Sequence, residues 1–194
     1  MARHADPDLE RRILDAAQKL WKKGGEKALT MRAVAEAART TTPTLYQRFA
    51  SRREILRALL NRIQQEFLQL IEGCSSPQEL FNCYIDFALE HPLEYELFFA
   101  HQDELFHDIR RRRLPVSDEP RPGVELAKAK LALWMGGNAR DYAELHLALW
   151  SLSHGAAMLL ISKTARDGLA TQVRHAASAA ASVLLKELAP KRRA

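Results

Sequence analysis

The chain has 194 residues, 47% apolar, 7% aromatic and 27% charged, with 29 Lys and Arg against 24 Asp and Glu and a formal net charge of +5. This apolar fraction excludes long disorder and a collagen-like repeat, and the length suits one generous domain or two small ones. The charge is uneven: residues 1–62 hold 14 Lys/Arg and 7 Asp/Glu, whereas residues 63–194 net −2, so the whole excess lies in the first third, as on a nucleic-acid-binding domain or on solvated helices.

The start, MARHADPDLERR, is charged and lacks the apolar stretch of a signal peptide. Ile13, Ala16, Ala17, Leu20 and Trp21 then fall at the spacing of an amphipathic helix, which Gly24-Gly25 should end. Thr30 can cap a second helix with Met31, Val34, Ala35 and Ala38 inward. Thr41 can cap a third with Leu45 and Phe49 inward, Pro43 being tolerated in its first turn. Ser51 and Glu54 form a capping box for a fourth, whose buried face should comprise Leu56, Leu59, Leu60, Ile63, Phe67 and Leu70.

Gly73-Cys74-Ser75-Ser76-Pro77 is the first break, and Cys74 and Cys83, the only cysteines, are too few for a disulfide framework and fit a reducing cytoplasm. A fifth helix from Pro77 should bury Leu80, Tyr84, Phe87 and Ala88, and a sixth should run from Leu93 to about Arg110. Residues 114–123, LPVSDEPRPG, read as an exposed loop. Helical pattern resumes over Val124–Met135, pauses at Gly136-Gly137-Asn138, and returns from Arg140 to about Lys163 and from Ala170 to Leu188. Leu145–Ile161 is the most apolar stretch, but His146, Ser151, Ser153 and His154 interrupt it, so no transmembrane helix is expected. No run alternates long enough for a strand, and the expected class is all-α with about nine helices.

The second and third helices are two turns each and joined by Arg39-Thr40, the helix-turn-helix arrangement in which the second element lies in the DNA major groove. The third helix presents Thr42, Thr44, Gln47 and Arg48 outward: hydroxyls bind phosphates or bases, Gln pairs with adenine, and Arg pairs with guanine or phosphate. The run from Ile13 to Leu56 resembles the DNA-binding domain of the TetR family of bacterial repressors, through its Ile-Leu-x-Ala-Ala start, Thr30, Thr44-Leu45-Tyr46, and Phe49 before Ser51-Arg52. The resemblance implies that Thr30, Tyr46 and Arg52 bind phosphates and that Thr42, Thr44 and Gln47 face base edges. Thr30 and Arg52 also stand at helix N-termini, where backbone amides favour a phosphate. Thr41 and Arg48 complete the expected DNA-binding set, with Arg39 able to reach a phosphate. Two positions depart from the family pattern. Arg39 stands where Gly is usual in a turn that often needs positive φ, and Pro43 stands where a small residue is usual.

A single reading head binds weakly, so a homodimer on a roughly palindromic double-stranded operator is expected. The resemblance places the dimer surface on the last two helices, where Val173, Ala176, Ala177, Ala180, Ala181, Leu184 and Leu188 form a small-residue stripe. Trp150 with His154-Gly155 resembles a Trp-x-x-x-His-Gly element of one C-terminal subclass, placing the two rings on one helix face and leaving Gly155 open to a neighbouring helix. The middle helices should hold a small-molecule effector, with Phe87, Leu97, Phe98, His101, Trp134, Met135, Trp150, His154 and Met158 as lining candidates and Gln102 as a further polar group. Each is also compatible with plain core. Such a lining suits a hydrophobic or aromatic effector, including a cation, since aromatic faces attract positive charge.

Glu104 and His107 have the spacing of a di-iron ligand pair but no second copy, and no phosphate loop, nucleophile elbow or paired-Cys zinc motif occurs, so no catalytic residue, metal or cofactor is expected. Arg110–Arg113 reads as a solvated helix end. The combined expectation is a cytoplasmic, non-enzymatic, ligand-responsive transcriptional repressor without membrane association. Residues 1–50 would bind DNA, and residues 51–194 would sense an effector and dimerise.

Overall fold

The computed structural model describes residues 8–100, 122–162 and 169–188. Their elements are α1 (Leu9–Ala28), α2 (Met31–Ala37), α3 (Thr42–Arg48), α4 (Arg52–Gly73), α5 (Pro77–Glu90) and α6 (Pro92–Ala100). There follow α7 (Pro122–Met135), a 3-10 turn (Ala139–Tyr142), α8 (Ala143–Ile161) and α9 (Leu169–Glu187). The described residues are thus all-α, with nine α-helices and no strand among them. The expectations for His101, Gln102, Glu104, His107, Arg110–Arg113 and most of the 114–123 loop lie outside the described residues. Pro122 and Gly123, expected in that loop, instead open α7, because proline fits the first turn of a helix where no N–H is needed.

The backbone forms two compact units, one containing described residues 8–63 and 96–100, the other 64–95, 122–162 and 169–188. Helices α4 and α6 each contribute residues to both.

In the first unit, α1 buries Leu9, Ile13, Ala16 and Ala17 and is interrupted at Gly24-Gly25, where Gly25 takes a φ of 61°. α1 packs on α2, whose Val34 and Ala35 are buried, and Leu45 of α3 and Ile55, Leu56, Leu59, Leu60 and Ile63 of α4 are buried in the same unit. An Arg62–Asp15 ion pair at 2.5 Å ties α4 to α1. Thr30 and Thr41 cap α2 and α3 as expected, their hydroxyl oxygens accepting from the N–H groups of Ala33 (3.2 Å) and Thr44 (3.3 Å). Ser51 accepts from the Glu54 N–H, while the Glu54 carboxylate accepts from Ala50, one residue before the cap. Arg39 sits in the left-handed region at φ 53°, so the turn keeps the geometry that usually selects glycine and the chain tolerates an arginine in it.

The second unit is built on Phe81 and Ile85 of α5, Leu131 of α7, Tyr142, Leu145, Leu149 and Ala156 along α8 and its lead-in, and Ala177 and Ala181 of α9. α5 and α9 both pack on α8. Gly136 and Gly137 (φ 88° and 82°) turn the chain sharply after α7, and the Tyr142 hydroxyl donates to the Gly136 carbonyl at 2.6 Å. Residues 139–161, mean hydropathy 1.2, are long and apolar enough to span a membrane by length and composition alone. In this fold Tyr142, Leu145, Leu149, Ala156 and Ala157 of that stretch are buried, and Leu147, Met158 and Leu159 are exposed.

Two expected core assignments change. Leu70 is exposed and Ile71 takes its place, because successive steps of four from Ile63 through Phe67 reach 71. The small-residue stripe of α9 divides: Ala177 and Ala181 are buried against the unit's own core, with Val173 and Leu184 packed beside them, while Ala176, Ala180 and Leu188 face outward.

Replacing Arg39 by glycine relieves the left-handed backbone cost and should stabilise the chain by about 1 kcal/mol, seen as a higher urea midpoint at unchanged slope. A lower midpoint would show that contacts of the arginine side chain outweigh its backbone strain.

Candidate nucleic-acid interface and ligand site

The reading surface follows from burial. With Leu45 of α3 and Phe49 at its C-cap buried, the intervening positions turn outward: Tyr46, Gln47 and Arg48 are exposed, Tyr46 to 51%, and Thr42 and Thr44 are half-buried. The Thr44 hydroxyl also lies 2.8 Å from that of Thr41, so both threonines take part in the cap. Thr30, Arg39 and Thr41 are exposed around them. Arg52 is exposed too, but its guanidinium donates to the Glu26 carboxylate at 2.6 Å and to the Glu26 carbonyl at 3.3 Å. Any phosphate contact by Arg52 therefore competes with an exposed ion pair, which is a weak competitor. The face consists of hydroxyl, amide and guanidinium groups on and beside the short, capped α2 and α3.

In the second unit, four polar aromatic groups converge from three helices. The Trp150 indole N–H of α8 donates to the Tyr84 hydroxyl of α5 at 3.1 Å. The Tyr84 and Tyr95 hydroxyls lie 3.1 Å apart, and both reach His154 Nδ1, at 3.2 and 2.5 Å. The His154 ring stacks on Trp150, centroids 5.6 Å apart and planes 24° from parallel, and on Tyr95 at 5.7 Å. The spacing of Trp150 and His154 thus does place both rings on one helix face. Phe67 of α4 meets Tyr84 edge-on at 5.6 Å and Phe87 at 5.1 Å, extending the cluster. Burial pushes the Tyr84 phenol up to about 12 and raises Tyr95 as well, so both stay protonated donors at neutral pH. Burial also lowers the His154 imidazole below its ordinary value.

Of the expected lining residues, the structure joins Phe87, Trp150 and His154 in this cluster. Met135 packs against the α5–α8 core instead, and Trp134 lies under Lys130, whose Nζ stands 5.0 Å from the ring centroid. Met158 is exposed, Leu97 and Phe98 fall in the first unit, and His101 lies outside the described residues. Tyr84 was legible only as core and Tyr95 not at all, because hydrogen bonds between helices leave no periodic trace. Among the described residues outside its own helical turn, none comes within 4 Å of a Cβ placed on Gly155. A separate polar cleft of about 330 Å³ between α5 and α9 is lined by Asn82, Asp86, Thr171, Arg174, His175 and Ser178, with Arg174 paired to Asp86. No three His, Cys, Asp or Glu side chains cluster as metal ligands among the described residues.

The sequence profile of bacterial regulatory proteins of the tetR family matches residues 13–59, and that of the tetracyclin repressor-like C-terminal domain matches residues 78–184. The chain belongs to the TetR family of transcriptional regulators. Its fold is shared with a TetR-family transcriptional regulator from Streptomyces coelicolor (TM-score 0.64, 18% identity, 93% of this chain and 99% of that one covered). It is similarly shared with the multidrug binding protein EbrR complexed with ethidium (TM-score 0.62, 22% identity, 93% and 99% covered). A TetR variant from Acinetobacter baumannii AYE in complex with minocycline aligns at a TM-score of 0.54 with 17% identity, covering 92% of this chain and 97% of that one. Among curated proteins none matches the sequence significantly. Within the TetR fold, the profile boundary places α1–α3 and the start of α4 in the N-terminal match and α5 through most of α9 in the C-terminal one.

An NMR titration should find His154 protonating below the ordinary 6.5. As pH falls through about 6.5 the unfolded chain takes up the proton first, so this contribution to stability is present above that pH and declines toward the folded pKa. His154→Gln should flatten the acid slope of the urea midpoint, with half-buried His146, lowered in the same direction, accounting for part of the remainder. A His154 that titrates above 6.5 contradicts the lowering by partial burial.

Proposed function

We propose that this TetR-family regulator is a homodimeric repressor that a small hydrophobic effector releases from its operator. The observation that carries the reading is the exposed Tyr46-Gln47-Arg48 face of α3, held between buried Leu45 and Phe49 in the most positively charged third of the chain. Thr42, Thr44 and Gln47 meet base edges in the major groove, while Thr30, Arg39, Thr41, Tyr46, Arg48 and Arg52 hold phosphates or flank them. Residues 1–50 act as the DNA-binding domain and residues 51–194 as the sensing and dimerising one. The protein works in the cytoplasm, without enzymatic activity, cofactor or membrane partner.

Dimerisation uses the outward faces of α8 and α9. Ala176, Ala180 and Val183 of α9 and Leu147, Met158 and Leu159 of α8 are exposed, and Gly155 lies open beside them, so that small residues let a second copy approach closely. Two heads on one dimer read half-sites about one helical turn apart, hence a roughly palindromic operator. Membership of the Trp-x-x-x-His-Gly subclass goes with this assignment.

The effector binds at the Tyr84–Tyr95–Trp150–His154 cluster. An aromatic ligand, neutral or cationic, stacks among these rings and exchanges its polar groups for the bonds the four side chains now make to one another. Insertion displaces Tyr95 on α6 and Phe67 on α4, helices that each contribute residues to both units, and release from the operator follows. By linkage the effector must bind the free dimer more tightly than the operator-bound one.

The test is a gel shift on the gene's own upstream DNA across a salt series. The wild type should bind specifically with a steep salt slope, Tyr46→Ala and Arg52→Ala should each weaken binding about tenfold while remaining dimeric, and Ala180→Glu should give monomers that no longer bind. Wild-type affinity in both head variants defeats the phosphate assignments, and equal weak binding to every sequence defeats the repressor reading. An effector that tightened operator binding would replace release with corepression.

A further inference from the structure

The two cysteines of the chain meet. Cys74 follows the last residue of α4 and is buried; Cys83 lies on α5 and is half-buried; their sulfurs are 3.3 Å apart. Each sulfur is also held from a second direction, Cys74 Sγ 3.3 Å from the Leu70 carbonyl and Cys83 Sγ 3.2 Å from the Leu80 carbonyl. The backbone between them is fixed by the α5 cap, in which Ser76 accepts from the Glu79 N–H and the Glu79 carboxylate accepts from the Ser75 N–H. The thiols are therefore positioned by the end of α4 and the middle of α5, and joining them asks for roughly 1.3 Å of approach to reach a disulfide length.

We propose that Cys74 and Cys83 form a reversible oxidation site, closing to an intrachain disulfide when the protein meets a two-electron oxidant of the peroxide class. Cys83, the more accessible sulfur, attacks the peroxide as thiolate; the O–O bond breaks, Cys83 becomes a sulfenic acid, and the departing oxygen leaves as water once protonated. Cys74 then attacks the sulfenic sulfur, the S–O bond breaks, and the expelled hydroxide takes the Cys74 proton to leave as a second water. Two thiols lose two electrons and two protons, and one peroxide becomes two waters. Burial, then Cys74 and then Glu79 raise the Cys83 thiol. The site therefore stays reduced under trace peroxide and answers sustained or concentrated exposure. The bond would tie the end of α4 to α5 one residue before Tyr84. The chemistry itself depends on neither the operator nor the effector.

The test uses the reduced full chain and hydrogen peroxide, followed by acid quench, denaturation, alkylation and mass spectrometry. Trypsin leaves both cysteines in one peptide, residues 63–110, whereas cleavage after Glu79 separates them. Peptides 73–79 and 80–90 should appear linked, lacking two hydrogens, with no alkylation, and dithiothreitol should restore two alkylatable thiols. Cys74→Ser should lose the linked pair and accumulate further-oxidised Cys83, and Cys83→Ser should leave Cys74 unoxidised. Two alkylated cysteines after prolonged exposure, or a bond only between chains, would overturn the site.

Discussion

Burial of Leu45 and Phe49 is the constraint on which the N-terminal unit depends. Four residues apart, Leu45 within a seven-residue helix and Phe49 at its C-cap fix which narrow face of that helix points inward. Every remaining side chain of α3 must then point away or flank the contact, and a helix so short cannot hold itself together without the Thr41 cap and the packing beneath it. Reading head and core are consequently one structure: a change that loosens Leu45 or Phe49 also misplaces Tyr46, Gln47 and Arg48.

The same economy of elements joins the two units. Helix α4 carries Ile63 at the end of the first unit's core and Phe67 against the aromatic cluster of the second, and α6 carries Tyr95 within that cluster. The cluster is held by mutual hydrogen bonds among neutral groups rather than by charge. Its parts are close enough to an aromatic ligand in chemistry for one to be exchanged for another at modest cost, since a bond lost is replaced by a bond gained.

Much of this was legible beforehand. Helical spacing carried the nine elements, the caps at Thr30 and Thr41 and the proline at Pro77 located the starts, and the departure at Arg39 marked the one non-glycine residue with positive φ among the described residues. The site in the second unit was legible only in part. Trp150 and His154 are one turn apart and visible as a pair, but Tyr84 and Tyr95 join them across 66 and 59 residues, where only tertiary packing decides the partner. Leu70 and Ile71 are equally apolar neighbours, so local pattern could not choose which faces inward. The α9 stripe has small residues on two faces, one covered by α8 and one open, and composition does not distinguish them. The cysteine contact was invisible for a similar reason: a count of two says nothing about distance.

The central claim, that a dimer reads two half-sites through α3, is tested most directly by selecting bound sequences from a random duplex library with the purified full-length protein. The account predicts enrichment of an inverted repeat whose half-site centres lie about one helical turn apart, with enrichment abolished by Gln47→Ala together with Thr44→Ala. Enrichment of no motif, or of a motif unaffected by those changes, would contradict it.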